Sequence, residues 1–102
     1  MVFDEVDSGI GGAVAEIVGR KLRELGRRRQ VLCVTHLPQV AACAHHHLRV
    51  SKEQLENRTE SHVEDLDKPA RIAELSRMLG GVDITAATRA AGKDLLERLS
   101  RG

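Results

Sequence analysis

Val2-Phe3-Asp4-Glu5-Val6-Asp7-Ser8-Gly9-Ile10-Gly11-Gly12, taken with Val31-Leu32-Cys33-Val34-Thr35-His36, sets the architecture of this 102-residue chain. The first stretch is a short apolar run that ends in adjacent carboxylates and passes into a glycine-rich turn. Ile10, Val14, Ile17, Val18, Leu22 and Leu25 then recur at helical spacing, with Ser8 as the expected N-cap and Gly26 placed to stop the helix. Val31 to Val34 is an uninterrupted apolar run, as expected of a strand buried on both faces of a parallel sheet. Strand, helix and strand over this length make a βαβ unit. Parallel strands finish on the same sheet edge, where open α/β sheets bind ligands, so topology alone brings Asp4-Glu5 and His36 together.

Beyond His36, residues 37–44 read as a short helix starting near Pro38. Residues 47–51 and 61–64 read as two strands of a hairpin, each polar on one face, joined by the polar stretch 52–58. Asp67-Lys68-Pro69 is a helix start; Ile72, Leu75, Met78 and Leu79 give that helix its apolar stripe, and Gly80-Gly81 stops it. Thr85 is placed to cap a last helix running to about Leu99. The expected fold is α/β, a βαβ unit followed by a β-hairpin and two C-terminal helices.

Composition narrows the class. A chain that is 41% apolar and 30% charged is ordinary for one small soluble domain, but Phe3 is its single aromatic residue, so the core must be aliphatic. A net charge of +1 points to no particular partner. The dense basic run Arg27-Arg28-Arg29 lies between a helix and a strand and reads as a solvated loop, with nucleic-acid contact as the second reading. No apolar run approaches the ~20 residues that cross a bilayer, and the first residues lack the basic-then-apolar pattern of a secretory signal; the cytoplasm is the expected compartment. Cys33 and Cys43 form no C-x-x-C pair and read as reduced, mostly buried thiols. Cys43, His45, His46, His47 and His62 form a possible Zn²⁺ or Ni²⁺ cluster, but their spacing fits no standard structural site, and incidental affinity is the expectation.

The chemistry-bearing residues sit at the strand ends. Neighbouring side chains on a strand diverge, so Asp4 and Glu5 can do different work: one carboxylate can hold hydrated Mg²⁺, the other can orient and deprotonate a water. His36 can donate to an oxygen on which charge develops. The turn Ser8-Gly9-Ile10-Gly11-Gly12 lets backbone approach an anion at a helix N-terminus. Each has a plainer reading: a solvated strand end, a loop histidine, a tight turn. The chain contains no G-x-x-x-x-G-K-[ST] loop to cradle phosphates.

Residues 2–12, together with Gln30-Val31-Leu32-Cys33-Val34-Thr35-His36-Leu37-Pro38-Gln39-Val40-Ala41 and Ala73-Glu74-Leu75-Ser76-Arg77-Met78-Leu79-Gly80-Gly81, resemble the C-terminal end of the RecN family. These are bacterial DNA-repair ATPases related to SMC proteins and ABC-type ATPases. The resemblance covers essentially the whole chain and implies one unit, residues 1–102: the C-terminal lobe of a partial P-loop NTPase head of the ABC/SMC kind. It implies Asp4 as the Walker B aspartate supporting Mg²⁺ through water, Glu5 as the catalytic glutamate and His36 as the switch histidine. Residues 6–12, with Ser8, Gly9, Gly11 and Gly12 contributing to the nucleotide site, correspond to the D-loop. Gly11 stands where many ABC and SMC proteins have an aspartate, a departure that RecN-like sequences share.

The resemblance further implies ATP and Mg²⁺ as cofactors, ATP hydrolysis in a complete head, and recombinational repair of double-strand breaks. Its implied partners are the N-terminal lobe, a second head in a homodimer, and DNA; its implied location is the cytoplasm, on the nucleoid when acting on DNA. Walker A, coiled coil and signature motif are not in these residues, so the chain by itself is expected to be inactive, with uncovered sheet edges. The alternative is a non-catalytic module that associates with a partner lobe or with DNA.

Overall fold

The structure is a computed structural model, and it describes residues 2–4, 11–80 and 83–101. Its elements are β1 (Val2–Asp4), α1 (Gly12–Leu25), β2 (Leu32–Val34), α2 (Pro38–Ala41), β3 (Leu48–Leu55), β4 (Arg58–Asp65), α3 (Lys68–Gly80) and α4 (Ala86–Leu99). The fold is mixed α/β, with β1 and β2 parallel and β3 and β4 an antiparallel hairpin. The expected order of elements is therefore present.

The core lies at the helical end. Ala41, Ala42 and Cys43, at the end of α2, pack with Ile72 and Leu75 of α3 and with Leu95, Leu96 and Leu99 of α4. The two long helices approach closely at Gly92, where a Cβ would stand 2.6 Å from Ser76 Oγ, 3.0 Å from Ser76 N and 3.1 Å from Ile72 O. Ser76 is fully buried there, and its hydroxyl donates to Ile72 O at 2.6 Å. Both helix starts read from sequence hold. Asp67 Oδ1 accepts from Ala70 N at 2.9 Å, and Thr85 Oγ1 accepts from Thr88 N while Thr88 Oγ1 accepts from Thr85 N, a reciprocal capping box.

Three expectations fail in instructive ways. The helix α1 starts at Gly12 with Gly11 as its N-cap; Ser8 lies upstream, outside the described residues. The face α1 buries is Ala15 and Gly19, while Val14 and Ile17 of the expected apolar stripe are exposed, Ile17 by 59%. The reason is close packing: a Cβ at Gly19 would stand 2.8 Å from Cys43 Sγ and 3.2 Å from Val40 Cα, so only small residues fit this side of α1. Nor is β2 buried on both faces. Phe3 pairs with Cys33 on one face and both are half-buried, whereas Val2, Leu32 and Val34 on the other face are 71%, 50% and 53% exposed. The apolar run is that of a doubly covered strand, but the described residues leave one face open.

The hairpin is longer than the sequence suggested. Pairing runs from Leu48↔Asp65 to Leu55↔Arg58, leaving only Glu56-Asn57 as the turn. The stretch 52–58 looked like a loop because it is polar throughout. In the fold both faces of these strands are largely exposed, so no hydrophobic alternation is required there.

Glycine inside a helix normally costs about 1 kcal/mol relative to alanine. At Gly92 the sign reverses, because the added methyl meets Ser76 and the Ile72 carbonyl. We expect Gly92→Ala to destabilise the fold by about 1–3 kcal/mol in chemical denaturation, where an open helix position would give a gain.

Candidate functional site

The site grows from the register of β1 and β2. Val2 lies beside Leu32, Phe3 beside Cys33 and Asp4 beside Val34, so both strands end at one sheet edge. The backbone places Asp4 as the last residue of β1. His36 follows β2 by two residues and is exposed. The chain turns sharply there: Leu37 N donates to Thr35 Oγ1 at 3.0 Å, and the buried Pro38 begins α2. This corner holds His36 out at the edge and not over the core.

The amino end of α1 lies against α2. No side-chain hydrogen bond caps it among the described residues, and the first-turn amides of a helix have no partners within the helix. A Cβ at Gly11 would meet nothing within 4 Å, while one at Gly12 would stand 3.3 Å from Gln39 Nε2. Gln39, from α2, thus lies against the start of α1 and joins the glycine turn to the corner after β2. Sequence reasoning assigned Gln39 no role; the signal was its place three residues after His36. Glu5, Ser8 and Gly9 lie outside the described residues.

The proposed His/Cys cluster does not assemble. Cys43 is buried, its thiol donates to Gln39 O at 3.3 Å, and burial pushes its pKa up, which disfavours the thiolate a metal would need. His45 and His46 are exposed, and His47 is half-buried with Nδ1 unpartnered among the described residues. Neither cysteine is in a disulfide; Cys33 is half-buried, less than expected. His62 stands on β4 beside Glu53 and Glu60. The run Arg27-Arg28-Arg29 is exposed in the turn after α1.

Electrostatics favour a neutral His47. Burial pushes its pKa below the usual 6.5, Arg71 pushes the same way, and Glu74 opposes them. Glu74 is itself a buried carboxylate, 6% exposed, held below the normal carboxylate range chiefly by its hydrogen bond from Arg77. No helix among the described residues is long and apolar enough to cross a membrane.

No protein-family model matches the chain. Curated relatives do. DNA repair protein RecN of Xylella fastidiosa strain Temecula1 is 60% identical over 99 residues, 97% of this chain and 18% of that protein. RecN of Vibrio cholerae serotype O1 is 55% identical over 96 residues, 94% of this chain and 17% of that protein. RecN of Bacillus subtilis strain 168 is 44% identical over 98 residues, again 17% of its length. The chain therefore spans about one sixth of the length of these relatives.

A group whose pKa is depressed by folding contributes stability above its unfolded value and loses it as pH falls. For His47 the loss begins near 6.5, and His45, also pushed down by burial, adds to it with the same sign. Thermal melts should therefore fall as pH drops from 7 toward 5, with a shallower fall in His47→Gln; an unchanged slope would contradict the assignment of a neutral His47.

Proposed function

Since the chain belongs to the RecN family of DNA repair proteins, we propose that it is the C-terminal lobe of an ATPase head and supplies the hydrolytic half of a composite ATP site. The observation that supports this reading most is the parallel register that ends β1 and β2 at one sheet edge, with Asp4 last in β1 and His36 two residues past β2. The donor set suits the ligand. A carboxylate at the end of β1 matches hydrated Mg²⁺, and an exposed imidazole past β2 matches phosphate oxygens.

In this reading Asp4 would hold Mg²⁺ through water, and the ion would supply charge neutralisation to the phosphates. Glu5 orients the attacking water and takes its proton. His36 donates to a γ-phosphate oxygen and so stabilises the charge that grows there. Ser8, Gly9, Gly11 and Gly12 line the nucleotide site along the seam between two heads. The phosphate-cradling loop must come from elsewhere, because no part of these residues has its spacing. The uncovered face of Val2, Leu32 and Val34 is an apolar surface suited to receiving that other lobe. Two such heads closing on ATP, and parting after hydrolysis, would couple nucleotide turnover to DNA held by the whole protein in recombinational repair.

The test is Glu5→Gln in a head that also carries the phosphate loop. ATP binding should persist while turnover falls by about 10²–10⁴-fold, the usual contribution of a positioned base. His36→Ala should lower turnover by roughly 10²–10³-fold with an unchanged melting temperature, because this side chain is exposed. Undiminished turnover in Glu5→Gln would leave the chain as a non-catalytic module for lobe or DNA association.

A further inference from the structure

The hairpin carries a constellation that the ATPase reading does not use. Its register sets Glu53 directly opposite Glu60 and Ser51 opposite His62, so Glu53, Glu60 and His62 share one face, contributed by both strands. One ligand atom from each lies within 4.8 Å of the others. His62 Nε2 is 3.2 Å from Glu53 Oε2 and 3.9 Å from Glu60 Oε2. Donors around a cation with bonds of ~2.1 Å lie about 3.0–3.4 Å apart, so small rotamer shifts convert this triangle into a coordination face. From this geometry we propose that Glu53, Glu60 and His62 form a binding site for a divalent transition cation of the Zn²⁺ class, separate from any nucleotide-linked Mg²⁺.

Two further features argue for it. Like charges directly opposite on paired strands are destabilising, and the Glu53–Glu60 pair is such a conflict in the middle of the hairpin. Arg58 relieves it in part: its guanidinium lies 3.0 Å from Glu60 Oε1, which leaves Oε2 turned toward His62. A cation between the strands would remove the remaining repulsion. The donor chemistry selects the ion, since one imidazole with two carboxylates suits Zn²⁺ or its neighbours, whereas Mg²⁺ and Ca²⁺ favour oxygen alone. The three side chains are partly or well exposed, so water can complete the coordination shell. Bound there, the ion would cross-link β3 to β4 where their faces have almost no packing to hold them.

Titration of the full, tag-free chain with Zn²⁺ alone, followed by calorimetry, tests the site. One ion should bind per chain, His62→Ala and Glu53→Gln should each weaken Kd by at least roughly tenfold, and the double variant His45→Gln/His46→Gln should leave it unchanged. Because the altered residues are exposed, circular dichroism should show the same fold in every variant. Absence of saturable one-to-one binding would overturn the proposal. So would a Kd insensitive to His62→Ala, or one abolished by His45→Gln/His46→Gln.

Discussion

Arg23 is the tie on which the rest of this chain depends. From α1 its guanidinium donates to Cys43 O at 2.6 Å, just past α2, and to Ser100 O at 2.5 Å, at the end of α4. Both acceptors sit at helix ends, where carbonyls lack intrahelical partners and the dipole is negative. Arg71 fills a parallel role from α3, donating to Ala41 O at 3.2 Å and Ala44 O at 3.0 Å. Burial and the nearby Arg23 push the Arg71 pKa down, and the two carbonyl oxygens it donates to offset the cost of burying its charge. Without Arg23 the βαβ half would be joined to the helical half mainly through the small contact of Ala15 and Gly19 on α2, and through Arg98 donating to Glu16 Oε1 at 2.5 Å.

That division of labour explains where the core went. The helical half is closed over its own core: Leu75 and Leu99 are fully buried, capped helices meet over Gly92, and Glu74 is neutralised by Arg77 and by Arg49 from the hairpin. The βαβ half is not. It keeps a sheet face of Val2, Leu32 and Val34 in water, and leaves Val14 and Ile17 of α1 exposed as well. An open apolar sheet face of this kind is suited to being covered by another surface, and the chain matches about one sixth of the length of its RecN relatives.

Much of this was legible in the residues, for identifiable reasons. Asp67 and Thr85 announced α3 and α4 because capping is local chemistry; only Thr88 as the reciprocal partner escaped, since a threonine there is not the usual glutamate or glutamine. The parallel pairing that sets Asp4 beside Val34 followed from the βαβ pattern. What failed was long-range. Periodicity marked Val14 and Ile17 as core because it cannot tell which partner covers a stripe, and here the described neighbours take the Gly19 side. Polar composition hid half of each hairpin strand. The grouping of Glu53 and Glu60 with His62 depends on cross-strand register, which no spacing along the chain reveals. Of the candidate site residues, Asp4 ends β1, His36 follows β2 by two residues, and Gly12 at the start of α1 lies against Gln39.

The central claim is that the β1–α1–β2 edge is half of a site awaiting its other lobe. Hydrogen exchange of the chain, alone and mixed with a RecN-type lobe bearing the phosphate loop, addresses it directly. The account predicts that slowed exchange concentrates at Val2–Asp4, Leu32–Val34 and the first turns of α1. Complex formation that leaves these amides unchanged and protects β3 and β4 instead would contradict it.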